Sequence, residues 1–286
     1  MTITITTSNV NGIRAAKRKG IEQWAAKNTP DVWCMQEVRA PQNEIDPIFD
    51  EFGFEYATAG RIADQSGLDR MNEICRIKGR AGVGLLSALP VIDKRYGLPG
   101  LAEDVDSGRW IEADVKTPQG YTVTVVCVYL HAGNTDDPEK MKQKYRFLDT
   151  MLVRMGQLRD EAAHGGKQAV LCGDFNIAHT PLDIKNAKAN EKHAGFLPEE
   201  RAYVDKWLGE LEFVDVMRSL CGDIQGPYTW WSQRGRAFDN NVGWRIDYQF
   251  ATPELAETAR GFVIDKAPTY DLRWSDHAPL SITYDV

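Results

Sequence analysis

Two side chains that could act together on a phosphate stand two residues apart in the pentapeptide GDFNI, residues 173–177. They are Asp174 and Asn176, and they follow an apolar run over residues 169–172 that has the composition of a buried strand. If the chain stays extended there, residues at a spacing of two point their side chains the same way. A carboxylate and an amide would then face one phosphate or one metal ion, which is an arrangement suited to hydrolysis.

Further acids, amides and rings stand next to the ends of other strand-like runs, where the active sites of open α/β sheets collect. These residues are Asn9, Asn11, Glu37, Tyr129, Asp276 and His277. Asp247 is the exception, because it is predicted to lie inside a strand over residues 245–250. Phosphate hydrolysis needs a hard divalent cation held by oxygen ligands, a positioned water and donors on the phosphoryl oxygens. The residues named above include candidates for the cation ligands, for positioning the water and for the donors.

Taken singly, these residues also have a structural interpretation. Asn9 and Asn11 would suit a turn, and Tyr129 at a strand end could serve packing. Asp247 could be a buried acid paired with Arg245. Glu37 could likewise be a surface acid and His277 a hydrogen-bonded core residue, so no single residue decides the chemistry.

The elements that must position these residues alternate between strands and helices. The strand-like runs are residues 2–7, 31–36, 83–87, 110–115, 121–129, 169–172, 245–250 and 279–284. The clearest helical patterns are residues 20–27, 138–161 and 198–208. A Pro-Gln-Gly turn signal at 118–120 predicts an antiparallel hairpin between two of the runs. We therefore expect an α/β chain whose sheets are not purely parallel, with residues 1–286 forming one domain.

Composition limits the class of protein. With 286 residues, 43% apolar content and eight Trp, the chain can bury a large core. No stretch approaches the roughly 20 apolar residues of a membrane helix, and no signal-peptide pattern opens the sequence, so we expect a cytoplasmic location. The five scattered cysteines indicate neither a disulfide framework nor a zinc site.

The formal charge of −7 argues against a protein that coats nucleic acid through bulk electrostatics. An acidic chain can still bind an anionic substrate if its carboxylates recruit cations and its basic residues share one face. Residues 12–20 carry four basic side chains and no acid, although a solvated helix face would have the same composition. The polar, modestly basic stretch 61–80 is expected to be an inserted surface loop.

Seven short strings occur together, in the order found in one family. They are SNVNGIR (8–14), QEVR (36–39), GDFNIAH (173–179), GFLPEER (195–201), YTWW (228–231), NVGWRIDY (241–248) and SDHAPL (275–280). On these strings the chain resembles the exonuclease III family of DNA-repair nucleases, also called class II abasic-site endonucleases. The resemblance implies a four-layer α/β sandwich, in which two mixed β-sheets pack together and are flanked by helices. It also implies phosphodiester hydrolysis with Mg²⁺ or Mn²⁺.

The resemblance gives each candidate residue a role. Glu37 would be the main metal ligand, and the full metal-binding set would be Asn9, Glu37, Asp174, Asn176, Asp276 and His277. Asp174 would activate or orient the attacking water, Asn176 would stabilise the transition state and Tyr129 would contact the phosphate. His277 would bind a phosphoryl oxygen and take its orientation from Asp247, with a general-base role for His277 as the alternative.

The substrate implied by the resemblance is double-stranded DNA with abasic sites or blocked 3′ ends, bound by a monomer. The substrate-binding residues would be Asn11, Arg39, Trp230, Trp244 and Ile246. The last three would line a pocket for a flipped-out, base-free sugar that excludes a normal nucleotide. From its basic composition, the stretch 61–80 is a candidate contact to the DNA backbone, with a solvated surface loop as the alternative. GFLPEER is expected to serve structure alone.

The match departs from the family pattern after Tyr129. Relatives usually place Pro and then Asn or Gln where this sequence has His131 and Ala132, so either His131 substitutes for the amide or substrate is held less tightly. Some relatives also have Asp at the position of Asn11.

Two rival functions remain: an enzyme on the same fold that cleaves inositol phosphates, sphingomyelin or unmodified DNA, and a non-catalytic nucleic-acid-binding regulator. The aromatic strings argue against the first, and the complete set of polar residues argues against the second.

Overall fold

The computed structural model describes residues 1–58, 69–73, 79–101 and 107–286. Its strands are β1 Thr2–Asn9, β2 Val32–Gln36, β3 Asp69–Glu73, β4 Val83–Ser87, β5 Val91–Tyr96, β6 Trp110–Lys116, β7 Thr122–Tyr129, β8 Gln168–Asp174, β9 Val214–Asp215, β10 Trp230–Trp231, β11 Gly243–Trp244, β12 Asp247–Ala251, β13 Ala259–Ile264 and β14 Leu280–Asp285. Its α-helices are α1 Ile13–Arg18, α2 Ile21–Asn28, α3 Gln42–Thr58, α4 Pro138–Ala163, α5 Ala187–Asn190, α6 Pro198–Gly209, α7 Val216–Cys221 and α8 Pro253–Ala256. None of the helices in these ranges combines the length and the apolar character needed to cross a bilayer.

Two six-stranded sheets form the centre of the molecule. Sheet 1 has the order β13-β14-β1-β2-β4-β3, and sheet 2 has the order β5-β6-β7-β8-β12-β9. Each sheet contains one parallel pair, β1 with β2 and β7 with β8, and its other neighbours are antiparallel. Both sheets are therefore mixed, as expected.

The hydrophobic core divides the fold into four layers. Between the sheets lie inward-facing side chains that include Ile5, Leu85, Val125, Cys172 and Tyr284. Helices α1 to α3 cover the outer face of sheet 1 with a cluster that includes Ile13, Trp33, Phe49 and Phe52. Helices α4 and α6 cover sheet 2 with a cluster that includes Phe147, Met151, Trp207 and Phe250. The predicted sandwich of two sheets flanked by helices is confirmed.

The central elements form where the sequence pattern is strongest. Every residue of β7 after Thr122 is buried, as expected for a strand covered on both faces. Helix α4 begins at Pro138 behind Asp137, whose carboxylate accepts a hydrogen bond from the Lys140 amide at 3.3 Å. Strands β6 and β7 pair antiparallel, which confirms the predicted hairpin.

The structure differs from the sequence prediction at the weaker signals. The stretch 61–80 is not simply a loop, because it contributes β3, which pairs with β4 at the edge of sheet 1. Residues 61–68 and 74–78 of that stretch lie outside the described residues. Strand β5 escaped prediction because it is a partly exposed edge strand whose Arg95 pairs with Glu112 and Asp114. The four cysteines in the described ranges are free, as expected.

Candidate active site

The two parallel strand pairs bring the predicted polar residues to one edge of the sandwich. Asn9 ends β1, Tyr129 ends β7, and Asp174 ends β8 directly beside Tyr129. Asp247 pairs with Asp174 in the antiparallel register of β12 and β8. The expectation that Asp247 lies inside its strand is wrong: β12 begins at Asp247, so this residue reaches the same edge as the ends of the parallel strands.

Several residues next to these strand ends adopt left-handed backbone conformations. Asn11, Glu37, Arg39 and Asn176 have φ values of 46°, 54°, 53° and 48°. Such values are uncommon for residues other than glycine, and they concentrate at functional sites because the surrounding structure must hold them. The chain therefore does not stay extended through GDFNI. Asn176 turns back, and its amide group donates from Nδ2 to the Leu130 carbonyl at 2.9 Å while its backbone N–H donates to Asp174 Oδ1 at 2.9 Å.

Asn9 joins the polar groups of the two sheets. Its Nδ2 donates to Glu37 Oε1 at 3.1 Å and to Asp174 Oδ2 at 2.9 Å. The Tyr129 hydroxyl donates to the same Glu37 oxygen. Asn9, Asp174 and Glu37 are all at least nine-tenths buried, so these bonds form in a medium of low dielectric where they are strong. Asn9 thus fixes Glu37 and Asp174, and Glu37 in turn holds the Tyr129 hydroxyl.

Asp247 and His277 form an oriented acid–imidazole pair. Asp247 Oδ2 lies 2.9 Å from His277 Nδ1 and also accepts a hydrogen bond from Thr229 Oγ1 at 2.5 Å. The alternative in which Asp247 pairs with Arg245 is excluded, since Arg245 pairs with Asp183 and Asp215. The other ring nitrogen, Nε2, lies 3.8 Å from Asp174 Oδ2.

The charges of this pair follow from burial and from their neighbours. Burial disfavours the imidazolium form of His277, but the carboxylates of Asp247 and Asp174 outweigh it and raise the pKa to about 9. Burial raises the pKa of Asp174 to about 6, although the His277 charge opposes this shift. His277 can therefore present a donor at Nε2, and Asp174 can accept a proton near neutral pH.

The donor set suits a hard divalent cation. Glu37 and Asp276 supply carboxylates, and Glu37 also pairs with the Arg39 guanidinium. The pKa of Asp276 is lowered although burial opposes its charge, because His277, Trp230 and Asn11 stabilise the ionised form. Among the described residues no three Asp, Glu, His or Cys side chains form a metal-binding group. An ion here would therefore complete its coordination with amide oxygens, water and substrate, as Mg²⁺ commonly does.

A cleft of about 460 Å³ opens above these groups. All five predicted substrate-binding residues line it, namely Asn11, Arg39, Trp230, Trp244 and Ile246. The Trp230 and Trp244 rings meet edge to face at 6.0 Å, and the Trp230 indole N–H donates to Asp276 Oδ2 at 3.2 Å. The aromatic wall and the acidic groups are therefore directly connected.

Sequence reasoning missed several residues that hold the site together. Thr229 lies within the quoted string YTWW and could have been noticed as a hydroxyl between aromatic rings. Arg109 gave no signal: its guanidinium lies 4.6 Å from the centre of the Tyr129 ring and donates to the Tyr129 carbonyl at 3.2 Å. The pKa of Tyr129 is raised to about 12, first by burial and then by the Asp174 charge, so the hydroxyl stays protonated.

The structure also shows the surroundings of His131 and Ala132, the two residues that depart from the family pattern after Tyr129. The His131 ring packs edge-on against Phe147 at 5.7 Å and does not line the cleft, whereas Ala132 does. This packing favours the alternative in which substrate is held less tightly at this point. Two of the basic residues of α1 are also less available than expected, since Arg14 pairs with Glu44 and Lys17 with Glu51.

Comparison with known proteins decides the family. A model of the endonuclease/exonuclease/phosphatase family matches residues 6–277. The chain belongs to this family. Enzymes of the endonuclease/exonuclease/phosphatase superfamily are generally metal-dependent, and the donor set described above fits that chemistry.

Three relatives place the chain within the endonuclease/exonuclease/phosphatase family. It is 29% identical over 279 residues to an exodeoxyribonuclease of Bacillus subtilis (strain 168), covering 97% of this chain and 98% of that protein. It matches the structure of an AP endonuclease from Archaeoglobus fulgidus with a TM-score of 0.81 and 29% identity, over 99% of this chain and 100% of that one. It matches the 3′ phosphatase NExo from Neisseria, bound to a product DNA hairpin, with a TM-score of 0.79 and 26% identity over 99% and 100% of the chains. The resemblance to DNA-repair nucleases is confirmed, and the chain is a phosphodiester hydrolase.

Proposed function

We propose that this protein is a DNA-repair nuclease that cleaves the backbone 5′ to abasic sites, cleans blocked 3′ ends and removes nucleotides in the 3′→5′ direction, with Mg²⁺ or Mn²⁺ as its cofactor. The observation that carries the proposal is the direct contact of an aromatic pocket with a hydrolytic site. Trp230, which forms the pocket with Trp244, is hydrogen-bonded to Asp276 and lies beside His277, with ring centres 6.3 Å apart. A base-free sugar in the pocket would place its phosphate at the acidic groups.

The polar residues divide the chemistry between them. Asp174, whose pKa is raised to about 6, is suited to take a proton from the attacking water. His277 donates from Nε2 to a phosphoryl oxygen, and Asp247 holds the ring in the orientation that allows it. Asn176 supplies an amide close to the same point, and Tyr129 a neutral hydroxyl. When bound at Glu37 and Asp276, the cation would stabilise the charge that develops on the phosphate.

The shape of the cleft supports discrimination by exclusion. Trp230, Trp244 and Ile246 belong to one small cluster with Ala178, Ile184 and Phe196, so the pocket wall is backed by packed side chains. Displacing a closely packed wall of this kind to admit a base would cost packing energy. On this proposal the wall admits a deoxyribose without its base and excludes a complete nucleotide. We further propose that the protein acts as a monomer, since one chain supplies all of these residues. A cytoplasmic location is likewise part of the proposal.

One labelled DNA duplex tests the proposal. The duplex carries a single abasic-site analogue and is incubated with the protein in Mg²⁺, in Mn²⁺ and in a chelator. We expect one nick 5′ to the lesion with either ion and none with the chelator. A ladder of shortened products without that nick would show a 3′-end exonuclease instead. The variants Asp174→Asn and His277→Ala should bind the duplex and not cut it, whereas an inactive parent protein that binds would favour the regulator.

A further inference from the structure

A buried ion pair lies behind one wall of the cleft. Lys144 of α4 and Glu200 of α6 approach to 2.6 Å, and both side chains are completely buried. Burying two charges is costly, and such a pair is weak as a source of stability. Burial lowers the pKa of Lys144, with the Glu200 charge opposing the shift. A buried ion pair that adds little net stability can instead serve to hold neighbouring groups in place.

The pair joins three separate segments of the cleft wall. Lys144 Nζ donates to the carbonyl of Ala132 at 3.1 Å and to that of Asn176 at 3.0 Å. Glu200 Oε2 accepts from the backbone N–H of Gly195 at 2.6 Å. Ala132, Asn176 and Gly195 all line the cleft. The two buried side chains therefore fix the backbone on which the cleft wall is built.

Gly195 transmits this arrangement to the aromatic pocket. A Cβ atom at this position would lie 3.0 Å from the Trp244 ring and 3.1 Å from the Asn176 carbonyl. The Gly195 carbonyl also accepts from the Ala178 N–H at 2.8 Å. The loop around Gly195 thus packs between the Asn176 backbone carbonyl and the Trp244 ring, so a shift of this loop would move both residues.

We propose that Lys144 and Glu200 are positioning residues that set the place of the Asn176 amide and of the Trp244 ring in the cleft. The inference deepens the proposed function and rests on it. The string GFLPEER, for which the sequence indicated structure alone, then serves the reaction through Glu200. Because misplacement of a reacting group by about 1 Å can cost about 100-fold in rate, loss of the Lys144 donors should appear in kcat rather than in KM.

The test is a double-mutant cycle between Lys144→Met and Asn176→Ala, measured on the abasic duplex. In the parent background we expect Lys144→Met to lower kcat about 100-fold, with KM changed less than about threefold. In the Asn176→Ala background the same change should cost clearly less than in the parent, because only its effect through Gly195 and Trp244 remains. Arg159→Met is the matched control, since Arg159 lies on the same helix and pairs with Glu212 away from the cleft. It should keep the parental kcat.

Two further measurements keep the proposal falsifiable. If Lys144→Met fails to fold, the double variant Lys144→Met/Glu200→Gln leaves no charge buried alone and should fold with the same loss of kcat. The NMR signal of the Asn176 side-chain amide, assigned by its loss in Asn176→Ala, should shift or broaden in either variant whether or not the parent cuts DNA. Parental kcat in a folded variant, equal losses in both backgrounds, or an unchanged Asn176 signal would each overturn the inference. An inactive parent with a shifted Asn176 signal would instead count against the proposed function alone.

Discussion

At the scale of single residues, Asp247 shows how one carboxylate decides what its neighbour can do. Its Oδ2 accepts from Thr229 and meets His277 Nδ1, so the ring has one orientation and its Nε2 faces the cleft. Buried carboxylates of this kind orient an imidazole and stabilise its charged form. Thr229 in turn accepts from the Asp247 backbone N–H at 3.1 Å, which fixes the acid at the start of β12.

The first prediction concerns this pair. Asp247→Asn keeps the shape but removes the charge that stabilises the imidazolium form of His277, and its amide no longer fixes the orientation of the ring. We expect kcat to fall by about 10³ to 10⁴ on the abasic duplex, with binding kept. Thr229→Val, which removes one hydrogen bond to the acid, should cost roughly tenfold. If Asp247→Asn and Thr229→Val cost the same, the acid is not orienting the ring.

The second prediction concerns the pocket wall. Ile246 is almost fully buried beside Trp230 and Trp244, and Ile246→Ala would widen the space that excludes a base. We expect the ratio of kcat/KM for abasic over undamaged duplex to fall by about tenfold or more, the effect of a few methylene groups. Val263→Ala, at a position whose side chain is 60% exposed, is the control and should leave the ratio unchanged. An unchanged ratio in Ile246→Ala would place discrimination elsewhere.

At the scale of elements, a buried network fixes the segment between β11 and β12 that carries the recognition residues. Arg245 lies between Trp244 and Ile246 in sequence and is fully buried. It donates to Asp183 Oδ1 at 2.6 Å and approaches Asp215 Oδ2 to 2.7 Å. The network ties this segment to the turn at Asp183 and to the start of α7. The pocket wall is therefore held in place by contacts with both.

The third prediction follows from the charge of Asp183. Burial opposes its ionised form, but Arg245 and Arg218 outweigh this and lower the pKa from 3.8 to about 2. A carboxyl with a depressed pKa stabilises the fold above pH 4, and that stabilisation is lost as the pH falls toward 2. The shift corresponds to about 2 kcal/mol, and leaving Arg245 without this partner costs more, so Asp183→Asn should lose about 3 to 5 kcal/mol at pH 7.

Urea unfolding of the parent and of Asp183→Asn between pH 7 and pH 3 measures the effect. The difference in unfolding free energy should shrink as the pH falls. Asp223→Asn, at an exposed position, should follow the parent at every pH. A difference that is constant with pH would mean that the loss comes from packing and not from the charge of Asp183.

At the scale of the whole molecule, the active site depends on the sandwich as a unit. Asn9 belongs to sheet 1 and Asp174 to sheet 2, and their side chains bond across the interface between the sheets. The same interface contains the core around Leu85, Val125 and Tyr284. Loss of packing between the sheets would therefore separate the metal-side carboxylate Glu37 from Asp174.

The fourth prediction tests whether residues 1–286 form one cooperative domain. Leu85 is fully buried between the sheets, and Leu85→Ala should cost about 3 kcal/mol in unfolding free energy. Native-state hydrogen exchange should show equal loss of protection in β2 of sheet 1 and in β8 of sheet 2. Val153 lies on α4 and is 63% exposed, so Val153→Ala should change neither the unfolding free energy nor the protection. Loss of protection in sheet 1 alone would divide the chain into two folding units.

The sequence by itself determined which chemistry is present and which elements carry it. Strand ends followed by acids and amides marked the site, and the aromatic strings marked the pocket, because strand propensity and local spacing are properties of neighbouring residues. Only the tertiary structure decided the contacts between residues that are far apart in the chain. Asn9 and Asp174 are 165 positions apart, and nothing local in either string predicts their bond.

The same reason explains why the position of Asp247 was predicted wrongly and why several residues were missed. Asp247 reaches the cleft because β12 runs antiparallel to β8, and strand direction is set by the topology of the whole sheet. Arg109, just before β6, gave no local signal of its contact with Tyr129. Lys144 and Glu200 gave none either, since a charged side chain on a helix usually faces solvent. Their burial is decided by which surfaces the sheets and helices present to one another once the four layers close.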